Sequence, residues 1–176
     1  MSGKMPWDFT IQSLGECTIP SPVSVSYYTS DDKRVLYNIY LNQYDRYRSP
    51  DGTLLSLEVA GPRENIFFDP SKTKAAIVTC GGLCPGINDV IRSLVMTLYH
   101  RYGVKNIMGI RYGFQGLIPK YGHALMELTP EVVKDIHTLG GSYLGSSRGK
   151  QDIEAMANAI HRMNIDLLFC IGADGT

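Results

Sequence analysis

The 176-residue sequence predicts an α/β fold: a Rossmann-like, mostly parallel sheet with helices on both faces, preceded by an irregular N-terminal arm. Three observations carry this. Short apolar runs at 75–80, 106–110 and 165–171 end at or near glycine, as strands do. The segments between them show apolar residues at helical spacing. The resulting order, strand, helix, strand, helix, helix, strand, needs crossover connections, and these are right-handed in parallel sheets.

The first 70 residues read differently from the rest. They hold six of the nine prolines and six of the eleven tyrosines, and carry a net charge of −3 against +3 for residues 71–176. Turn signals recur at Pro20-Ser-Pro22, Ser49-Pro-Asp-Gly52 and Gly61-Pro62. Short apolar or aromatic runs, Val23 to Tyr28 and Leu54 to Val59, lie between them. Residues 1–70 are therefore expected to form an arm with a few strands or turns, packed on the main domain or on a partner subunit. A flexible leader is the alternative for the first 20.

Residues 71–176 are expected to form the first part of an α/β domain. Ala75-Ala-Ile-Val-Thr-Cys80 is the first strand, stopped by Gly81-Gly82. Ile87, Val90, Ile91, Leu94, Val95 and Leu98 then trace one face of a helix, closed by Gly103. Asn106 to Ile110 is the second strand, followed by a glycine-rich loop from Tyr112 to Tyr121. Thr129-Pro130-Glu131 opens a second helix, with an N-cap, a proline in the first turn and an acid at the positive end; Gly140-Gly141 stops it. A third helix, with Ile153, Met156, Ala157 and Ile160 on one face, leads to the strand Ile165 to Ile171.

Composition narrows the class of function. Lys+Arg and Asp+Glu are both 17, so there is no basic surface for nucleic acid and no polybasic membrane tether. With 44% apolar and 19% charged residues the chain can bury a core. No run reaches the roughly 18 apolar residues of a membrane span, and the start lacks the apolar stretch of a signal peptide. A soluble, intracellular protein is expected. Cys17, Cys80, Cys84 and Cys170 show no disulfide framework, and one pair separated by three residues falls short of the about four ligands of a zinc site. They are read as free, mostly buried thiols.

Chemistry is expected beyond the carboxyl ends of the strands, where open α/β sheets bind ligands. Cys80-Gly-Gly-Leu-Cys-Pro-Gly86 puts bare backbone N–H groups just before a helix, a setting that favours an anion. Glycine there removes the Cβ that would block a phosphate. The turn is neither a Walker A loop nor G-x-G-x-x-G. A second turn, Gly172-Ala-Asp-Gly-Thr176, sets Asp174 among small residues as a natural Mg²⁺ ligand. Leu144-Gly-Ser-Ser-Arg-Gly149 offers a guanidinium that can grip phosphate oxygens bidentately. Singly, these read equally as a tight turn, an Asx cap and a solvated arginine; together they point to phosphate.

Gly81-Gly-Leu-Cys-Pro-Gly-Ile-Asn88 followed by Val-Ile-Arg92 resembles the G-G-x-x-P-G-x-N signature of the phosphofructokinases. Tyr112-Gly-Phe-Gln-Gly-Leu117, Leu144-Gly-Ser-Ser-Arg148 and Gly172-Ala-Asp-Gly-Thr176 follow in the family's order and spacing, so the resemblance spans residues 74–176. The first motif, with the long segment before it, is most similar to the plant, trypanosomatid and spirochaete branch. The resemblance implies Mg²⁺-dependent phosphoryl transfer from ATP or pyrophosphate to the 1-hydroxyl of fructose 6-phosphate in glycolysis. It implies that the N–H of Gly82 contacts the transferring group, that Arg148 bridges donor phosphates with Gly149 beside it, and that Asp174 holds Mg²⁺. Phe114 falls where many members carry an aromatic lining the nucleotide site. Ala173, where glycine is commoner, Gly175 and Thr176 complete the donor-binding set. Gly175 is the position linked to donor choice: glycine leaves room for the α-phosphate of a nucleotide, so ATP is expected, although a second determinant lies beyond this chain.

The family's Thr-Ile-Asp-Asn-Asp segment, which carries the general base, is absent from these residues, as are the groups that grip the sugar phosphate. The four histidines are expected to face solvent. The chain is therefore expected to be the N-terminal part of a longer, cytoplasmic and commonly tetrameric enzyme, inactive and poorly soluble alone; a peroxisome-like organelle is the alternative location. Competing readings are a pyrophosphate-dependent enzyme, an NAD or lipid kinase, and a truncated, non-catalytic nucleotide-binding paralogue.

Overall fold

The computed structural model describes residues 9–41, 47–48 and 52–172. The chain forms two compact units that divide between Phe67 and Phe68. In the first, four short strands, β1 (Ile19–Pro20), β2 (Arg34–Leu36), β3 (Ser56–Glu58) and β4 (Asn65–Ile66), pair antiparallel as β1 with β4 and β2 with β3. Val23 is the one buried hydrophobic residue among the described residues here, so polar contacts do much of the tethering. Arg63 donates to the carbonyls of Thr29 (3.1 Å) and Val59 (2.8 Å) and pairs with Asp31 at 2.8 Å. The Val23 to Tyr28 run forms no strand; it closes instead through the Tyr28 hydroxyl, which donates to the Val23 carbonyl at 2.8 Å.

The second unit is built on β5 (Lys74–Thr79), α1 (Ile87–Met96), β6 (Asn106–Ile110), β7 (Met126–Glu127), α2 (Pro130–Val133), α3 (Ile153–Arg162) and β8 (Leu167–Ile171). The sheet order is β7-β6-β5-β8. β5 runs parallel to β6 and β8, while β7 adds antiparallel to β6. The fold is thus α/β with a mixed sheet and flanking helices.

β5 is buried on both faces and reads accordingly as a continuous apolar run. Its pleat divides the core in two. Ala75 and Ile77 pack with Ile91, Val95 and Leu98 from α1 and its extension, whereas Ala76, Val78 and Cys80 pack with Leu117 and Ala159. Each fully buried Ile or Val contributes on the order of 1.5–3 kcal/mol before entropy is charged.

One local expectation is refined and three are corrected. The first helix continues past Met96 as a π-helical turn, Thr97–Tyr102, before Gly103 ends it in the left-handed conformation at φ 80°. The loop from Tyr112 to Tyr121 is two 3₁₀ turns, Gly113–Leu117 and Pro119–Tyr121. The second helix is one α turn that breaks at Asp135 (φ −115°, ψ 3°) and resumes as a 3₁₀ turn, Ile136–Thr138. Thr138 directs both its N–H (3.0 Å) and its hydroxyl (2.7 Å) to the Asp135 carbonyl, which favours the tighter turn. α3 presents Met156, Ala159 and Ile160 to the core, with Met163 just past its end, and leaves Ile153 and Ala157 exposed. β7 went unread because two residues show no period.

Candidate active site

Gly81 and Gly82 follow β5 directly, and Cys80 extends that strand by donating its N–H to the Ile171 carbonyl of β8 at 2.8 Å. Thr79 pairs with Ile171 in register, so the carboxyl ends of β5 and β8 lie side by side. Here the structure forms a cleft of about 700 Å³, lined by Gly82, Phe114, Arg148 and Gly149 together with Gly81, Ser147, Lys150 and Gln151. Four residues expected to bind the donor therefore share one cavity. The other four, Ala173, Asp174, Gly175 and Thr176, lie outside the described residues.

The geometry of the glycines separates conformational need from space. Gly81 adopts φ 76° with nothing within 4 Å of an added Cβ, so the turn itself demands it. Gly82 has no such torsion. A Cβ there would meet the Arg148 Nη2 at 3.5 Å, an ordinary contact, so what it would occupy is open cleft. The Gly82 N–H has no hydrogen-bond partner among the described residues, and Arg148 is exposed there without a hydrogen bond or ion pair. A free N–H and an unpaired guanidinium facing one space are what a phosphate needs. The N-terminus of α3, by contrast, is already filled: the Asp152 carboxylate accepts from Glu154 (3.0 Å) and Ala155 (3.2 Å).

The Arg148 loop is seated through several contacts. Gly109 on β6 makes room for Leu144, whose Cδ2 would lie 2.5 Å from a Cβ at that position. Tyr112, in the left-handed region at φ 59°, donates its N–H to the Leu144 carbonyl at 2.9 Å. The Gly81 N–H reaches the Ser147 carbonyl at 3.3 Å, and the Ser146 hydroxyl donates back to the Gly81 carbonyl at 2.6 Å. The side chains of Thr79 and Asn88 also reach this loop; Asn88 is the last residue of the G-G-x-x-P-G-x-N signature, but sequence reasoning assigned neither residue a role. A signal existed for Asn88: it lies three residues before Ile91 and seven before Val95, on the buried stripe, where a polar side chain must find partners.

The cysteines are free as expected but mostly exposed, and of the histidines only His123 departs from the expected solvent exposure. Only Cys80 is buried; Cys17, Cys84 and Cys170 are exposed. Cys84 rides the open turn, and Cys170 belongs to β8, which has one paired edge among the described strands. Burial, and secondarily the nearby Cys170, pushes the Cys80 thiol up to about 11. It therefore stays protonated and unreactive at neutral pH. In native protein an alkylating reagent is expected to modify Cys84 and spare Cys80, with Cys80 labelled only in denaturant; peptide mass spectrometry of both samples checks this. His123 is half-buried and packs on Tyr112 with ring centroids 4.6 Å apart, while His100, His137 and His161 are exposed.

No carboxylate lines the cleft, and no group of three or more metal-ligating side chains occurs among the described residues. These residues suit phosphate oxygens and do not by themselves make a metal site.

Fold and cleft together define an α/β domain with a glycine- and arginine-lined cleft at its strand ends. Residues 74–176 match the phosphofructokinase family, and the chain belongs to that family. It is 46% identical over 178 aligned positions to the ATP-dependent 6-phosphofructokinase of Borreliella burgdorferi, a match covering 96% of this chain and 39% of that protein. With the Entamoeba histolytica ATP-dependent 6-phosphofructokinase the identity is 56% over 120 residues, covering 68% of this chain and 27% of that one. The crystal structure of Pichia pastoris phosphofructokinase in the T-state is similar to 73% of this chain, with a TM-score of 0.53 and 28% identity, and the chain covers 14% of it. The chain thus spans about two fifths or less of the length of the curated relatives named here.

Proposed function

We propose that the protein to which these residues belong transfers the γ-phosphoryl group of ATP to the 1-hydroxyl of fructose 6-phosphate. The observation that carries this is the convergence of an unpaired Gly82 N–H, an unpaired Arg148 guanidinium and Phe114 on one cleft at the strand ends. The chain's belonging to the phosphofructokinase family, and the activity of its relatives, supply the substrates.

In this reading the bond between the β–γ bridging oxygen and the γ-phosphorus breaks, ADP leaves, and the sugar O1 bonds to the phosphorus. The Gly82 N–H faces an equatorial oxygen of the transferring group, where negative charge must be held in place. Arg148 spans donor phosphates, and being already unpaired it loses no protein contact on binding them. Phe114 offers an apolar wall to the nucleotide. Mg²⁺ would neutralise phosphate charge; Asp174 is the residue this reading assigns to it. The O1 proton goes to a base that this reading places outside the described residues, whose cleft lining holds neither carboxylate nor histidine. Gly175, the position this reading links to donor choice, favours ATP over pyrophosphate.

The test is a coupled assay of the enzyme as its cell makes it, with fructose 6-phosphate and either ATP or pyrophosphate, in Mg²⁺. Fructose 1,6-bisphosphate with stoichiometric ADP is expected. Turnover with pyrophosphate alone would overturn the donor assignment. Phosphorylation of NAD, or of no sugar phosphate, would overturn the reaction.

A further inference from the structure

The segment that carries Arg148 is irregular. From Leu139 to Gly149 it has no helix or strand, and it begins with exposed Gly140 and Gly141, neither with an atom within 4 Å of an added Cβ. Such a stretch has little intrinsic reason to hold one conformation. Yet Arg148 must stand opposite Gly82, which arrives on a different element.

Two buried side chains close that gap. Asn88, 2% exposed on α1, donates from Nδ2 to the Leu139 carbonyl at 3.0 Å and accepts at Oδ1 from the Tyr143 N–H at 2.8 Å. One amide thus holds both ends of the 139–143 turn. Thr79, fully buried at the end of β5, donates its hydroxyl to the Gly145 carbonyl at 2.7 Å and lies 2.9 Å from the Ser142 hydroxyl. Thr79 sits three residues before Gly82 and Asn88 six after it, so the two staples bracket the glycine turn in sequence. We infer that Asn88 and Thr79 are positioning residues that fix the Arg148 loop against the Gly82 turn, and so set the separation of the two phosphate-binding groups. Their kinetic consequence rests on the phosphoryl-transfer reading above; their structural consequence does not.

A side chain that merely fills the core would loosen the whole domain when removed. A positioning residue loosens its loop and harms the step that needs alignment, for which about 1 Å of misplacement costs on the order of 100-fold. Asn88→Ala, made in the complete enzyme, is expected to speed hydrogen exchange in peptides spanning 139–149 while β5 and β6 peptides exchange as in wild type. The same variant should lose about 10- to 100-fold in kcat, with the KM for fructose 6-phosphate within about 2-fold. Thr79→Val keeps the shape and strand propensity and removes only the hydroxyl; it is expected to loosen 142–149 in the same way and carries the test if Asn88→Ala does not fold.

Unchanged exchange in 139–149 would overturn the inference, and so would faster exchange spread evenly over the domain. If wild type itself transfers no phosphoryl group, the reaction assignment fails, while the exchange measurement still decides whether these residues hold the loop.

Discussion

Arg148→Ala, in the complete enzyme, is expected to lower kcat/KM for the phosphoryl donor by about 1,000-fold while the melting temperature stays near that of wild type. The split follows from the site. Arg148 is exposed and makes no hydrogen bond or ion pair among the described residues, so the folded domain loses nothing it was using. Surface changes of that kind stay within about 0.5 kcal/mol. Removing one preorganised charge from a transferring phosphoryl group, by contrast, costs on the order of 10²–10³ in rate, and a transition-state arginine somewhat more. Arg148→Lys keeps the charge but not the planar fork, so it should recover only part of the loss. Steady-state kinetics with the donor varied, beside a thermal melt of each variant, measures both quantities. Equal loss of rate and stability would show that Arg148 holds the fold instead.

Gly113→Ala is expected to destabilise the domain by about 3 kcal/mol, and Gly122→Ala by about 1–2 kcal/mol. The two positions share a left-handed backbone, φ 59° and φ 64°, so the torsional penalty is common to both. Their surroundings differ. Nothing lies within 4 Å of a Cβ at Gly122, whereas at Gly113 it would sit 2.7 Å from the Ser147 Oγ, 2.9 Å from the Ser147 nitrogen and 3.2 Å from the Thr79 carbonyl. Two of those three atoms are backbone, and both belong to segments that shape the cleft. Relieving the clash must push the Arg148 loop away from the end of β5, so Gly113→Ala should also lose donor affinity while Gly122→Ala should not. Denaturation midpoints and donor KM for the pair give the answer; similar values for both would mean that the loop yields freely.

Much of this was legible in the amino-acid sequence because it depends on short-range periodicity and on turn chemistry. The run at β5, the stripe of Ile87, Ile91, Val95 and Leu98 on α1, and the β6 segment Asn106–Ile110 were all readable from spacing alone. So was the gathering of phosphate-suited residues into three turns. Gly82, Phe114, Arg148 and Gly149 were named from motifs, and the structure places them around one cavity. The break of the second helix at Asp135 was not readable, because its cap, proline and first-turn acid are the same whether the helix runs one turn or three. The buried face of α3, with Ala159 on it, was hidden because small and large apolar residues offer two plausible stripes on that helix.

The sequence by itself determined the α/β class, the position of the strand ends and the residue types gathered there. Those features arise within windows of a few to a dozen residues, where side-chain period and glycine torsions act locally. Only the tertiary structure decided that Gly82 and Arg148, 66 positions apart in the chain, face the same space, and that Asn88 and Thr79 hold them there. Asn88 closes the G-G-x-x-P-G-x-N signature but shows nothing there of what it holds, and Thr79 lies outside every motif. Their roles come from burial: in the interior an amide or hydroxyl must find partners, and the nearest ones belong to the loop that carries the arginine.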